Sequence, residues 1–100
     1  MIDWSRIAGF DWDEGNLAKS SKKHNVGWTE AEQLFLNDPL ILAEDIAHSG
    51  REPRYTALGQ ADDGRRLFCA FTLREGQTRI RVISVRDMSR RERQRYEDEA

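Results

Sequence analysis

Three consecutive strand-like segments in the second half of the chain constrain its fold more than any other feature. They cover Arg54 to Gly59, Leu67 to Leu73 and Arg79 to Val85. The turn-forming sequences Asp62-Asp63-Gly64 and Glu75-Gly76 lie between them, so the three segments are predicted to pair as an antiparallel meander with hairpin turns. The middle segment is apolar on both faces, which predicts that it is the central strand.

The first half of the chain predicts two helices. Residues 7–12 alternate loosely and predict a first strand, and Asp13 is placed to cap a helix that runs to about His24. Thr29-Glu30-Ala31-Glu32 has the pattern of a capping box and predicts a second helix through Leu36. The sequence Asn37-Asp38-Pro39 should end that helix, because proline cannot continue it.

The rest of the chain completes an α+β fold. A short strand is predicted over Leu40 to Ala43, followed by a polar loop from Glu44 to Pro53. Ser89-Arg90-Arg91-Glu92 is a second capping box and predicts a terminal helix through about Tyr96. We therefore predict a small antiparallel sheet with two N-terminal helices and one C-terminal helix, forming one domain over residues 1–100.

Charge is distributed unevenly along the chain. The net charge of −2 is unlike that of a general nucleic-acid binder, which is normally basic. Residues 1–50 contain 9 acidic residues and 4 Lys or Arg, whereas residues 51–100 contain 9 acidic residues, 12 arginines and no lysine. The planar guanidinium of arginine suits two-pronged phosphate binding, so this bias indicates either phosphate recognition or a solvated, salt-bridged surface.

The last predicted strand carries the most informative arginines. Side chains alternate across a strand, so Arg79 and Arg81 should share one face while Ile80 and Val82 enter the core. Arg86 follows the predicted end of the strand, beside the N-terminus of the last helix, where free amide groups favour an anion. The alternative is that arginines on an exposed sheet face only keep it soluble and protect its edge.

Other chemistries find little support in the sequence. No metal-binding set, nucleotide-binding glycine loop or serine triad is recognisable, so we predict neither a metal nor a cofactor. Cys69 lies in an apolar segment and is predicted to be a buried, structural residue. No apolar stretch is long enough to span a membrane and no signal peptide is recognisable, so the expected location is the cytoplasm.

Several short motifs follow one another in order over about residues 10–97. They are Phe10-Asp11-Trp12-Asp13-Glu14, Lys23-His24-Asn25-Val26, Thr29-Glu30-Ala31, Asn37-Asp38-Pro39, Arg54-Tyr55, Leu58-Gly59, Arg79-Ile80-Arg81-Val82-Ile83-Ser84-Val85-Arg86, and Arg91-Glu92-Arg93 with Tyr96. Their order and spacing resemble the BrnT family of bacterial ribonuclease toxins. Asn16 and Gln60 stand at positions where a lysine and an arginine are common in that family.

The resemblance implies a RelE-like fold and a ribonuclease that inhibits translation. It also implies a hetero-oligomer with a DNA-binding antitoxin, expected to be a BrnA-like ribbon-helix-helix protein that represses the operon. The alternative from another functional class is a non-catalytic module of the same family that only binds the antitoxin or acts as a co-repressor. The missing cation at Asn16 and the acidic balance of the chain favour that alternative.

Residue roles follow from the resemblance and from the chemistry of metal-free RNA cleavage, in which the 2′-hydroxyl of the RNA attacks the adjacent phosphate. The enzyme must stabilise the resulting anion and move two protons. Charge stabilisation is expected from Arg81, Arg86 and Arg54, proton transfer from His24 or Lys23, and additional RNA binding from Arg79 and Arg91.

Overall fold

The computed structural model of the protein describes residues 2–12 and 26–99. Within these ranges it has five strands and two α-helices. The strands are β1 (Gly9–Phe10), β2 (Ile41–Glu44), β3 (Tyr55–Gln60), β4 (Arg66–Arg74) and β5 (Arg79–Asp87), and the helices are α1 (Trp28–Leu36) and α2 (Arg90–Glu99). The helix predicted from Asp13 to His24 lies outside the described residues.

The five strands form one mixed sheet in the order β1-β5-β4-β3-β2. The predicted meander is confirmed, because β4 pairs antiparallel with both β3 and β5 and lies at the centre. The prediction of a purely antiparallel sheet is wrong, because β1 pairs with β5 in parallel. The 68 residues 11–78 separate β1 from β5, so no hairpin turn obliges this pair to run antiparallel.

The inner face of the sheet, which packs against α1, contains the main core. Phe71, Cys69 and Val82 are almost completely buried there, together with Leu34 of α1. Cys69 is a structural residue as predicted, and burial raises the pKa of its thiol because the apolar surroundings disfavour the thiolate. Burying these apolar side chains is the main favourable contribution to folding.

The outer face of the sheet is divided into an apolar half and a polar half. Helix α2 covers the apolar half, where Leu58, Met88 and Tyr96 are buried and Phe68 packs against them. The hydroxyl of Tyr96 donates a hydrogen bond of 2.7 Å to the carbonyl of Pro39, which ties α2 to the start of β2. The polar half, toward the β4–β5 hairpin, remains uncovered by either described helix.

A β-bulge in β5 decides which side chains reach the outer face. Ser84 pairs with Ala70 and Val82 pairs with Phe71, so Ile83 is the additional residue. The bulge changes the alternation, and Val82 and Val85 therefore both face the core although they are three residues apart. The sequence prediction ended this strand at Val85, whereas the strand continues to Asp87.

Of the two predicted capping boxes, the one at α2 forms as predicted and the one at α1 does not. At α2 the pair is complete, because the Ser89 N–H donates to Glu92 Oε1 at 2.8 Å and the Glu92 N–H donates to Ser89 Oγ at 3.2 Å. At α1 the predicted N-cap Thr29 is wrong, because the helix begins at Trp28 after Gly27, and Glu30 accepts from the Gly27 N–H. Neither described helix is long and apolar enough to cross a membrane.

The close approach of α1 to β3 at Gly59 generates a stability prediction. A Cβ atom at Gly59 would lie 2.9 Å from Leu34 Cγ and 3.0 Å from the Leu34 carbonyl oxygen, so the helix would have to move. We expect Gly59→Ala to lower the free energy of unfolding by about 1–3 kcal/mol, measured by chemical denaturation.

Gly50→Ala is the matched control, because a Cβ atom at Gly50 would meet nothing within 4 Å. This control should change the free energy of unfolding by no more than about 0.5 kcal/mol. Equal stabilities for the two variants would contradict the described packing of α1 on β3.

Candidate active site

An open cleft of about 360 Å³ lies on the polar half of the outer face. We call it the arginine cleft. Strands β4 and β5 form its floor, and the loop between β2 and β3 forms one wall. The cleft is lined by His48, Gly50, Arg51, Glu52, Arg54, Thr72, Arg74, Arg81 and Ile83.

Two of the predicted catalytic arginines, Arg54 and Arg81, line this cleft together. Arg81 lies on β5 directly opposite Thr72 of β4, and its Nη1 lies 3.5 Å from Asp11 Oδ2. Arg54 is exposed immediately before β3, and its guanidinium has no hydrogen bond or ion pair with the described residues. The cleft therefore combines an oriented cation with an accessible one.

The backbone around Arg54 is fixed by hydrogen bonds to both neighbouring segments. The Arg54 N–H donates to Ser49 Oγ at 2.9 Å, and the Arg54 carbonyl accepts from the Asp45 N–H at 2.7 Å. The hydroxyl of the buried Thr72 donates to the Pro53 carbonyl at 2.7 Å, which joins this loop to β4. The base of the Arg54 side chain is thus held in place before any ligand binds.

Three further residues of the cleft were missed as site residues by sequence reasoning. Arg74 lies at the end of β4, opposite Arg79, and forms an ion pair of 3.2 Å with Glu52. Its Nε is buried and has no hydrogen-bond partner within residues 2–12 and 26–99. Alternation from Thr72 could have placed Arg74 on this face, but Arg51 and His48 lie in a loop whose path the sequence does not define.

Arg86 occupies a different part of the outer face. It forms a two-pronged ion pair with Glu92, at 2.7 Å and 2.9 Å, and its Cζ lies 4.1 Å from the centre of the Phe68 ring. It is five residues from Arg81 along β5, about 16 Å at roughly 3.3 Å per residue. The structure therefore does not bring Arg86 together with Arg54 and Arg81.

The ion pair with Arg86 lowers the pKa of Glu92. The Arg86 guanidinium holds the pKa of the Glu92 carboxyl below its ordinary value, and the capping hydrogen bond from Ser89 acts in the same direction against the effect of burial. The same contact raises the pKa of Arg86. Both residues remain charged at neutral pH, with Glu92 serving the helix cap and the ion pair at once.

The predicted RNA-binding residues Arg79 and Arg91 lie on separate surfaces. Arg79 lies at the start of β5, where its Nε donates to Glu75 Oε2 at 3.0 Å and its Nη1 is 3.5 Å from the Phe10 carbonyl. Arg91 is exposed on α2 and lines a shallow groove along that helix. Neither residue lines the arginine cleft as described.

The remaining predicted residues fall outside the described ranges or outside the cleft. His24 and Lys23 belong to the segment between residues 12 and 26, which the structure does not describe. Gln60 lies at the end of β3 and donates to the Asp38 carbonyl at 3.0 Å, so its side chain supports the α1–β2 connection. Within residues 2–12 and 26–99, no group of three or more His, Cys, Asp or Glu could hold a metal ion.

Comparison with known protein families identifies one family for this chain. The family model described as "Ribonuclease toxin, BrnT, of type II toxin-antitoxin system" matches residues 12–92. The chain belongs to the BrnT family. No curated protein matches it significantly. The BrnT match includes every residue that lines the arginine cleft and also the Arg86–Glu92 pair, while it ends before most of α2.

The Arg86–Glu92 pair makes a prediction for the stability of this BrnT chain. Because the folded carboxyl has the lowered pKa, its stabilisation is fully present above the pKa of the unfolded chain, near 4.3, and is lost as the pH falls through the folded value. At pH 7 we expect Glu92→Gln to be less stable than the unsubstituted protein by about 1 kcal/mol, measured by thermal unfolding.

That difference should shrink as the pH is lowered toward about 3, because protonation then removes the charge from the unsubstituted protein as well. Arg93→Gln is the control, because Arg93 is an exposed residue on the same helix. A stability difference that stays constant from pH 7 to pH 3 would show that the charge of Glu92 does not contribute.

Proposed function

We propose that this BrnT-family chain is an endoribonuclease that cleaves RNA without a metal ion, using arginines to stabilise the reacting phosphate. The arginine cleft is the observation that carries the proposal. Arg54 and Arg81 converge there with Arg51 and Arg74 on a fixed sheet surface. The membership of the chain in a ribonuclease toxin family supports the same reaction.

The proposed reaction needs positive charge where the phosphate gains negative charge. When the RNA 2′-hydroxyl attacks, the pentacoordinate phosphorus carries more charge than the ground state, and a preorganised donor can stabilise it by about 3–4 kcal/mol. Arg81 is oriented by Asp11, and the guanidinium of Arg54 has no partner among the described residues, while its backbone is held by hydrogen bonds. These two arginines are therefore our proposed transition-state donors.

The other predicted residues take roles that fit their positions. We propose that Arg86 holds α2 through Glu92 rather than contacting the scissile phosphate, because both of its terminal nitrogens already bind that carboxylate. Arg79 and Arg91 are proposed to bind flanking phosphates of the RNA. His24 and Lys23 remain proposed proton-transfer residues.

Type II toxin–antitoxin families have a protein antitoxin as partner. We propose that the partner here is a BrnA-like ribbon-helix-helix protein that forms a hetero-oligomer with this toxin domain, and that the free toxin has a RelE-like fold and halts translation in the cytoplasm. Exposed apolar side chains support a protein partner. Those on the described surface are Trp4, Trp28, Leu36 and Ile46.

The ion pairs at the cleft favour a second candidate function. Arg81 is paired with Asp11 and Arg74 with Glu52, as expected for a salt-bridged surface that never meets RNA. In that case the chain would be a non-catalytic module that binds the antitoxin or acts as a co-repressor. RNA cleavage by the purified protein distinguishes the two functions directly.

We expect the purified protein to cleave RNA in the presence of a chelator, and its induction without an antitoxin to arrest bacterial growth. Arg54→Ala and Arg81→Ala should each lower the cleavage rate on the order of 10²–10³, because each removes one transition-state donor. The measurement is the single-turnover cleavage of a labelled RNA, followed by gel electrophoresis.

Arg93→Ala is the matched control, because Arg93 is an exposed arginine on α2, away from the cleft. It should cleave RNA at the unsubstituted rate. Intact RNA together with undisturbed growth would favour the binding module instead. Full activity in both cleft variants would remove Arg54 and Arg81 from the proposed site.

A further inference from the structure

A histidine–aspartate pair lies at the rim of the arginine cleft. His48 lines the cleft, and its Nδ1 lies 2.9 Å from Asp45 Oδ2 and 3.1 Å from Asp45 Oδ1. A carboxylate in this position keeps the proton of a neutral imidazole on Nδ1, so that the lone pair is on Nε2. Nε2 has no hydrogen-bond partner among the described residues and can therefore accept a proton from a ligand.

The short turn that carries His48 is fixed relative to Arg54. Asp45 accepts from the His48 N–H at 3.3 Å and donates its own N–H to the Arg54 carbonyl at 2.7 Å. Ser49 Oγ donates to the Asp45 carbonyl at 2.7 Å and accepts from the Arg54 N–H at 2.9 Å. The imidazole and the base of the Arg54 side chain thus share one hydrogen-bonded unit, as catalysis by positioned groups requires.

We propose that His48 is the catalytic base of the ribonuclease and that Asp45 is its positioning residue, an inference that rests on the proposed function. Nε2 of His48 takes the proton of the RNA 2′-hydroxyl while the 2′-oxygen forms a bond to phosphorus. The bond between phosphorus and the 5′-oxygen breaks, leaving a 2′,3′-cyclic phosphate. The leaving 5′-oxygen takes a proton from water, and the hydroxide so formed takes the proton back from the imidazolium.

The groups around His48 in the cleft carry charges of both signs. Asp45 and Glu52 are its acidic neighbours, and Arg51, Arg54, Arg74 and Arg81 are the cations of the same cleft. Ordinary carboxylates and guanidiniums keep their charge between about pH 5.5 and pH 8, whereas histidine titrates in this range. A pH dependence of cleavage in this window that one histidine variant loses therefore reports that histidine, and the chain contains only His24 and His48.

The test is the pH dependence of cleavage of a short RNA oligonucleotide by the unsubstituted protein, His48→Ala and His48→Gln. We expect kcat/KM of the unsubstituted protein to rise with pH and to level off, and both variants to lose this rise. Their kcat should fall on the order of 10²–10³ with KM little changed, since one positioned base contributes about 10²–10⁴. Added imidazole should restore part of the rate to His48→Ala.

Two further measurements separate this role from a structural one. The melting temperature of both variants should be unchanged, because the His48 side chain is 70% exposed. Their affinity for an RNA whose 2′-hydroxyls are methylated should also be unchanged. Asp45→Asn should show an intermediate loss of kcat, because the amide can still contact Nδ1 but no longer carries the charge that favours the imidazolium.

Three results would overturn the proposal in distinguishable ways. If His48→Ala keeps the rate and the pH profile of the unsubstituted protein, His48 is not the base, although the ribonuclease stands. If instead His24→Ala loses the pH-dependent rise and regains activity with added imidazole, the base is His24. An unsubstituted protein that leaves RNA intact at every pH overturns the ribonuclease itself, and the role of His48 with it.

Discussion

The β-bulge at Ile83 is the constraint on which the arrangement of the outer face depends. Without the additional residue, strict alternation from Arg81 would place Arg86 on the inner face and Val85 on the outer face. With it, Val85 stays in the core against Cys69, and Arg86 reaches the outer face opposite Phe68. Ile83 lies on the same face as Arg81, where it forms an apolar part of the lining of the arginine cleft.

Two groups among the arginines of the second half differ in their contacts. Arg65, Arg66 and Arg86 join separate elements, because they pair with Glu30 and Asp87, with Glu97, and with Glu92 respectively. Arg54 and Arg51 have no such ion pair with the described residues, and they flank the cleft. A count of arginines cannot separate the two groups, since the difference is made by acidic residues that are distant in sequence.

The sequence predicted the features that depend on local rules. Alternation correctly separated Arg79 and Arg81 from Ile80, and the Ser89–Glu92 capping box correctly marked the start of α2. The parallel pairing of β1 with β5 could not be predicted, because a two-residue strand contains too little pattern to select a partner. The pairing of Glu92 with Arg86 was missed because Glu92 had already been assigned a role in the helix cap.

Apart from Arg54, which the family resemblance supplied, the candidate site was predictable only where it lies on regular strands. Arg81 follows from alternation along β5, and Arg74 would have followed from β4 if the predicted strand had not ended at Leu73. His48 and Arg51 lie in the loop between β2 and β3, whose path is set by hydrogen bonds from Asp45 and Ser49 to Arg54. Such contacts depend on side chains that have no periodic pattern, so the sequence gives no direct signal for them.

We propose that the arginine cleft, and not the Arg86–Glu92 pair, binds the phosphates of RNA. An NMR titration of the arginine Nε–H resonances tests this, with an RNA oligonucleotide whose 2′-hydroxyls are methylated and which therefore cannot be cleaved. Large shifts are expected for Arg54 and Arg81, with an unchanged signal for Arg86. Shifts at Arg86 and along α2, with Arg54 and Arg81 unaffected, would contradict it.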